Sequence, residues 1–233
     1  MKTCLSAVTA IAIATTAIMT PLSSIAQSTT LGDVNVAKLI QTTSAAGLQP
    51  SALKASLNAY AWARTHHKLG PNKNTLTVVD FTLPSYKKRL WVIDLKTDKV
   101  LMNLYTTQGK NSGLVYATHF SNKRGSDMTS LGLFSTAGEY YGHHAKSMHL
   151  DGLESGINSN ARSRSVVIHS AVYATPAFIN AHHRAGRSWG CFAVAPDVKA
   201  ELLNNVKGGS ALFAYAPQEN QDPIVKNGPI SLS

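Results

Sequence analysis

Cys191 restricts how this chain can fold more than any other residue, because it is the only cysteine beyond the first 26 residues. It follows the loop 187–190, Arg-Ser-Trp-Gly, and an apolar run over residues 166–168 ends at His169, 22 residues upstream. A thiol near its ordinary pKa of about 8.5 is mostly protonated at neutral pH, and a nearby imidazole can take its proton. The pattern predicts a buried strand that delivers His169 to the loop of Cys191, with Cys191 as nucleophile and His169 as its base.

The first 26 residues have the features of a secretory signal peptide. Lys2 supplies a basic start, residues 5–19 are uncharged and mostly apolar, and Ser24 and Ala26 occupy the −3 and −1 positions of a cleavage site. The apolar run is short, rich in Thr and Ala, and followed by no charged stop, so we expect no stable membrane anchor. We expect export to the periplasm or cell-wall space. There a lone thiol has no internal disulfide partner, and Cys191 is either a buried, inert thiol or a reactive one.

The charge of the chain is strongly positive, with 22 Lys and Arg against 12 Asp and Glu. Loss of Lys2 with the leader leaves a formal charge of +9. No long run of basic residues is present, and we therefore expect no nucleic-acid binding. A basic exported protein is attracted to an anionic polymer such as a cell wall.

Periodicity and turn residues divide the chain into a signal peptide (1–26), a helical N-terminal segment (27–74), a mainly β domain (75–217) and a polar tail without an evident role (218–233). We expect a short helix capped by Asp33 and a second helix that starts at Pro50 and stops before Gly70. Strands are predicted near 75–81, 90–95, 100–106, 131–136, 166–169 and 210–215, and short helices near 176–183 and 197–206. Residues 108–130 form a long Gly/Ser/Asn-rich region, and residues 143–160 show little periodicity.

The residues next to Cys191 suit substrate contacts. Gly190 leaves room for a substrate carbonyl, so that amides around Gly190 and Cys191 are candidate oxyanion donors. Arg187 is either a carboxylate binder or a surface cation, and Ser188 is a loop-positioning, substrate-binding or plain turn residue. A backbone carbonyl near Ser170 or a distant aspartate could orient His169, and the residues alone leave both open.

The combination of His169 with Ser188-Trp189-Gly190-Cys191 resembles the His…(Ser/Thr)-x-Gly-Cys signature of the YkuD-type L,D-transpeptidases. Further blocks look like the branch known as murein L,D-transpeptidase catalytic domain proteins, and the resemblance covers roughly residues 52–217. These blocks are residues 90–95, 109–113, 120–122, 125–126, 130–132, 150–154, 160–162 and 207–210.

The resemblance implies a β-rich L,D-transpeptidase catalytic fold with a helical N-terminal segment and short peripheral helices. It also implies peptidoglycan stem peptides as substrate and no cofactor. In the family, the cysteine attacks the L,D-amide after the third residue of a tetrapeptide stem, expels D-alanine and forms a thioester. A second stem's amine then gives a 3→3 cross-link, and a D-amino acid as acceptor exchanges the terminal residue. Water would make the enzyme an L,D-carboxypeptidase or a hydrolase of wall-peptide links, and a protein amine is a further possible acceptor. The family maps Cys191 to the nucleophile, His169 to the base and the carbonyl of Ser170 to the orienting group.

This chain departs from the commonest signature at two places. Trp189 replaces the usual histidine, and Phe-Ala-Val at 192–194 replaces an arginine-containing segment, so that Arg187 is a candidate to bind the substrate carboxylate instead. Acceptor and substrate specificity are therefore open. His144, in a family-like block, is a candidate cleft residue or a surface histidine.

Three other classes of protein are alternatives to this interpretation. A zinc hydrolase could use His143, His144, His149, His182 and His183, but the usual ligand spacings are missing and no metal is expected. A non-catalytic wall-binding module would not need Cys191 and His169 together. A papain-like protease would have its cysteine before its histidine. The oligomeric state cannot be read from the sequence.

Overall fold

The computed structural model describes residues 30–31 and 34–231, so the predicted signal peptide and the Asp33 cap lie outside the described residues. Within them the protein is strand-rich with short helices, which confirms the mainly β prediction. The strands are β1 Thr30–Leu31, β2 Val34–Asn35, β3 Thr75–Asp80, β4 Leu90–Asp94, β5 Lys99–Leu104, β6 Gln108–Gly109, β7 Gly132–Gly142, β8 Ala145–Gly152, β9 Val167–Ser170, β10 Arg187–Ser188, β11 Phe192–Val194 and β12 Ala211–Tyr215. The α-helices are α1 Val36–Ala45, α2 Pro50–Thr65, α3 Pro176–His182, α4 Pro196–Val206 and α5 Pro223–Lys226, and 3-10 turns lie at Val172–Ala174 and Pro217–Gln221.

Eight strands form one sheet in the order β11-β9-β8-β7-β12-β3-β4-β5. Most neighbours are antiparallel, but β11 pairs with β9 and β12 with β3 in parallel. Successive side chains of a strand point to opposite faces, and Leu212 and Phe213 accordingly join different hydrophobic clusters. The central strands are buried on both faces. The sequence predicted β4 and β12 because they are continuous apolar runs, and β3 because it is rich in β-branched residues.

Helices cover the two faces unequally. The first face carries α1, α2 and α5, whose apolar residues pack with those of β3, β4 and β12 in one cluster. The second face carries α4, which contributes Leu202, Leu203 and Val206 to the other cluster. The side chain of Asn35 caps α1 by accepting from the Lys38 N–H at 3.1 Å. The first face is not fully covered, and the uncovered part lies over β8, β9 and β11.

The polar tail has a defined position on α2. Asn58 of α2 is buried, and its amide donates to the carbonyls of Val225 and Ile230 at 2.9 and 3.2 Å. Its carbonyl oxygen accepts from the Ile230 N–H at 2.8 Å. The segment after β12 is thus fastened to the helical layer, although its polar sequence gave no sign of this.

Residues 143–160, which show little periodicity in the sequence, include most of β8, and β8 pairs with a long β7. The two strands form a hairpin whose outer half extends beyond the core, and Tyr141 near its tip is 82% exposed. A register shift between Thr136 and Glu139 breaks the alternation further. Since periodicity reflects burial on one face, a protruding, irregular hairpin leaves little trace in the sequence.

The sheet curls until its two edges meet. Beyond β5, the Thr107 N–H donates to the Ala193 carbonyl of β11 at 3.2 Å, and the Ala193 N–H donates to Thr107 Oγ1 at 3.2 Å. Just after that, β6 pairs in parallel with β10. This closure presses residues 108–130 against the loop that precedes Cys191. No helix in the described part of the chain is long and apolar enough to cross a membrane.

Candidate active site

Parallel pairing of β9 and β11 brings Cys191 and His169 to one place. His169 lies opposite Ala193 in the register, and Cys191 precedes Ala193 by two residues. Residues two apart share a face, so both side chains point to the uncovered part of the first face. They line a cavity of about 440 Å³. Its lining residues are Tyr140, His143, His144, Ser165, Val167, His169, Tyr173, Arg187, Ser188, Trp189 and Cys191.

The imidazole of His169 is buried and held in one orientation. Its Nδ1 lies 3.0 Å from the carbonyl oxygen of Ser170, so the carbonyl, rather than a distant aspartate, is the group in contact. Burial lowers the pKa of His169 to about 4, against a smaller raising effect of the Ser170 bond. The ring is therefore neutral at neutral pH, and Nδ1–H donation to Ser170 leaves Nε2 free to accept a proton.

The thiol of Cys191 is half-buried and donates to a different group. Its Sγ lies 3.4 Å from the carbonyl oxygen of Ser165, a residue in the left-handed backbone region with φ of 55°. Within the described residues no hydrogen bond joins Cys191 to His169. Burial raises the pKa of Cys191, while the Val167 N–H and the charge of Arg164 lower it. In this arrangement thiol and imidazole are both neutral, and a turn of the Cys191 side chain is needed to join them.

Ser188 organises the loop that leads to the thiol. It is buried, and its hydroxyl donates to the Cys191 carbonyl at 2.7 Å while accepting from the Gly190 N–H at 3.2 Å. Gly190 has φ of 120°, and a Cβ there would come within 2.7 Å of the Met128 carbonyl oxygen. The Gly190 amide is thus committed to Ser188. Of the two amides predicted as oxyanion donors, that of Cys191 is the one with no acceptor within the described residues.

The rim of the cavity carries the other predicted contact residues. Arg187 is exposed and donates to the Lys110 carbonyl at 2.8 Å. Trp189 is 76% exposed, and Lys110 Nζ lies 5.8 Å from its ring centroid. The tip of the β7–β8 hairpin brings His144 over His169, with ring centroids 4.1 Å apart.

The structure adds residues that the sequence did not single out. Tyr140 comes from the hairpin that periodicity missed, and Tyr173 lies four residues after His169 in a 3-10 turn. Arg164 and Ser165 stand directly before the predicted strand of His169. A charged residue beside a buried strand is ordinary at a strand end, so the sequence held no signal that would separate Arg164 from a surface cation.

The histidines considered as zinc ligands do not converge. His149 stacks on Tyr140, His182 lies against Phe178, and His143 meets His144 edge to face. Within the residues that the structure describes, no three His, Cys, Asp or Glu side chains are grouped so that they could hold a metal ion.

The chain belongs to the family of L,D-transpeptidase catalytic domains, because residues 44–215 match that family. The resemblance seen in the sequence is thereby confirmed. Similar solved structures include an L,D-transpeptidase from Mycobacterium smegmatis, with 16% identity, a TM-score of 0.38, and 61% of this chain and 59% of that chain covered. L,D-transpeptidase 1 from Mycobacterium tuberculosis shows 14% identity, a TM-score of 0.35, and coverage of 61% and 62%. An L,D-transpeptidase from Stackebrandtia nassauensis shows 13% identity, a TM-score of 0.37, and coverage of 79% and 78%. The chain thus spans less than two thirds of the first two structures. No curated protein matches it.

Proposed function

We propose that this chain is an exported cysteine L,D-transpeptidase that acts on peptidoglycan tetrapeptide stems. The observation that carries the proposal is the shared cavity of Cys191 and His169, in which Ser170 fixes the imidazole with Nε2 free. Membership of the L,D-transpeptidase catalytic domain family supports the same reaction class.

The reaction begins when Cys191 turns from Ser165 toward His169. Nε2 takes the thiol proton as the sulfur attacks the carbonyl carbon of the L,D-amide, and the amide oxygen becomes an oxyanion facing the Cys191 N–H. The C–N bond then breaks, and the His169 imidazolium gives its proton to the departing D-alanine amine. The product is a thioester between the tripeptide carbonyl and Cys191.

The second half reverses these roles. An acceptor amine loses a proton to His169 and attacks the thioester carbonyl, an amide forms, and the thiol of Cys191 recovers its proton. The amine of a second stem yields a 3→3 cross-link, and a free D-amino acid exchanges the terminal residue. Water as the acceptor releases a tripeptide stem, which is L,D-carboxypeptidase activity, and a protein amine gives a protein-linked stem.

The rim residues are proposed to select the substrate. Arg187 stands at the mouth with its guanidinium partly engaged by Lys110, and its remaining N–H groups suit a stem carboxylate. Trp189 offers an exposed aromatic face, and His144 borders the base.

Incubation of the purified protein with defined muropeptides, followed by mass analysis, tests the proposal. We expect loss of D-alanine from tetrapeptide stems, and the second product identifies the acceptor, because a cross-linked dimer, an exchanged stem, a trimmed stem and a protein-linked stem differ in mass. Cys191→Ala is expected to abolish turnover while it retains peptidoglycan binding. A wild-type chain that binds peptidoglycan without changing any stem would instead be a wall-binding module.

Export is tested separately. When the full chain is expressed with a C-terminal tag, we expect to find the protein outside the cytoplasm. We expect its N-terminal residue to be Gln27. A protein that keeps its first 26 residues and stays in the cytoplasm would contradict this part of the proposal.

A further inference from the structure

Arg164 lies beneath the Cys191 loop and is bound on several sides. Its Nη1 donates to the Ser121 carbonyl at 2.6 Å and to the Ser130 hydroxyl. Its Nη2 donates to the Met128 carbonyl at 2.6 Å and to the Ser126 hydroxyl at 3.2 Å. One guanidinium thus ties together both ends of the segment 121–130. Lysine, with a single ammonium on a flexible stem, cannot reproduce this forked pattern.

The atoms held by Arg164 form the floor under Gly190. The Met128 carbonyl oxygen and Arg164 Nη2 lie 2.7 and 3.4 Å from the point that a Cβ on Gly190 would occupy. A shift of Met128 therefore shifts the backbone that presents Cys191. The three residues after Cys191 supply no cation that could replace Arg164, because residues 192–194 are apolar and fully buried.

The charge of Arg164 is not neutralised by a direct partner. All four of its acceptors are neutral oxygens, and no carboxylate in the described part of the chain forms an ion pair with it. Asp127 raises the pKa of Arg164 only through space, and Cys191 raises the pKa of Arg164 more than Asp127 does. Arg164 is half-buried, and without a carboxylate partner its charge stabilises a nearby anion more than a fully exposed cation would, because water screens the interaction less.

The other groups around the thiol contribute less positive charge. His169 is neutral, and His144, which stacks on it, has its own pKa lowered by burial, by His143 and by Lys199. Tyr173, whose pKa is raised by burial and by Cys191, and Arg187, which is exposed on the rim, also line the cavity. The other titratable groups around the site are Tyr140, His143 and Lys199, whose Nζ donates to the His144 carbonyl at 3.4 Å.

We propose that Arg164 is a positioning residue for Cys191, which holds the floor of the Gly190 loop and supplies the positive charge that favours the thiolate. The proposal rests on the proposed function only in that Cys191 must ionise to react. In chains that have arginine after the cysteine, that arginine is a different residue, so this assignment is particular to a signature that ends in Phe-Ala-Val.

The test is the pH dependence of iodoacetamide alkylation at Cys191, followed by mass analysis of the peptide that contains it. For Arg164→Gln we expect the midpoint of the alkylation profile to rise by about one pH unit, the lower end of the range for loss of a close opposite charge. The rate below the midpoint should fall about threefold, because thiolate becomes about tenfold scarcer while the more basic thiolate is a better nucleophile.

Arg162→Gln is the matched control. Arg162 is also an arginine of this segment, but it is half-exposed and forms an ion pair with Asp151 at the surface. We expect its alkylation profile to match that of the wild type. Arg164→Lys separates the two roles: it should keep the midpoint within about 0.3 units while turnover of stems falls, because the charge remains and the fork is lost.

An unshifted midpoint in folded Arg164→Gln would overturn the assignment of charge. If Arg164→Gln does not fold, Arg164→Lys decides, and a midpoint raised by a full unit together with unchanged turnover would overturn the proposal. Alkylation does not require a peptidoglycan substrate. A shifted midpoint in a protein without stem turnover would therefore support Arg164 while contradicting the proposed function.

Discussion

At the scale of single residues, burial sets the chemistry of this protein. His169 and Cys191 are both held in their neutral forms, His169 with a pKa lowered to about 4 and Cys191 with a raised one. The pair therefore starts as thiol and imidazole rather than as an ion pair, and in the proposed reaction the proton moves when Cys191 turns toward Nε2. Sequence alone could pair the two side chains, but it could not show how far each is buried.

His144→Ala tests the burial of the base. Removal of the stacked ring admits water to His169, whose pKa should then rise from about 4 toward its ordinary 6.5. The imidazole acts as a base only above its pKa, so the acid limb of the kcat/KM profile should move upward by about one unit. His182→Ala, on exposed α3, should leave the limb in place. An acid limb near pH 4 in both variants would show that His144 does not shield the base.

Glu154 and Glu219 are two further buried residues that titrate, and both lie far from Cys191 in the sequence. Burial raises the pKa of Glu154 to about 8 and that of Glu219 to about 7, with Asp222 adding to both shifts. Each carboxyl has one buried oxygen without a hydrogen-bond partner. In the unfolded chain these groups ionise near pH 4.5, so the folded state holds protons that the unfolded state releases. Stability therefore falls as pH rises from about 4.5 to about 8.

Glu154→Gln is expected to remove much of the loss of stability between about pH 4.5 and about pH 8. The glutamine carbonyl can still accept from the Leu133 N–H that Glu154 binds, and it cannot ionise. At pH 8 the variant should be more stable than the wild type by on the order of 2 kcal/mol, with little difference at pH 5. Urea unfolding at the two pH values measures this. Glu139→Gln, at a surface ion pair with Lys146, is the control, and an equal gain there would contradict the explanation.

At the scale of elements, the site arises where short strands meet. The apolar run of β9 predicted its position, and the lone cysteine marked the loop before β11. The two-residue strands β6 and β10 and the hairpin strand β8 were not predicted, because they are too short or too exposed to show a period. Their pairing depends on residues far apart in the chain, and nothing local in the sequence encodes that closure.

Gly190→Ala tests whether the loop geometry matters to the chemistry. Alanine would be strained at φ of 120° and would press on the Met128 carbonyl, so the backbone of Cys191 must move. We expect at least about a hundredfold loss of kcat/KM, similar to loss of an oxyanion donor.

Gly156→Ala is the matched control for Gly190→Ala. Gly156 also has a positive φ, of 79°, but a Cβ there would meet no atom within 4 Å. It should cost about 1 kcal/mol of stability and leave kcat/KM unchanged. Equal activity losses in the two variants would show that backbone strain in general, rather than the site, is responsible.

At the scale of the whole molecule, one face of the sheet is divided between support and function. The α1, α2 and α5 layer covers the central strands, and the cavity occupies the part of that face left open over β8, β9 and β11. The sequence predicted the helical segment and the β domain, but it gave the polar tail no evident role. The three hydrogen bonds of Asn58 to the tail could not be read from a polar segment, because they join residues more than 160 positions apart.

Asn58→Ala should separate stability from chemistry. It leaves the buried carbonyls of Val225 and Ile230 without this donor, and we expect a loss of about 2 kcal/mol in the free energy of unfolding. The alkylation profile of Cys191 should be unchanged, because α2 covers the other part of the sheet. Thr65→Ala, at the exposed end of α2, should cost less than about 1 kcal/mol. A shifted alkylation profile in Asn58→Ala would mean that the tail and the site are coupled.

The central claim is that Cys191 carries the stem peptide as a thioester, and trapping that intermediate tests it most directly. Purified protein is mixed with a tetrapeptide stem, quenched in acid and weighed intact, and the adduct is mapped to a peptide. We expect an added mass equal to the stem without its terminal D-alanine, on Cys191, and no adduct or product with Cys191→Ala. Stem turnover by Cys191→Ala at the wild-type rate, with no adduct on the wild type, would contradict the account.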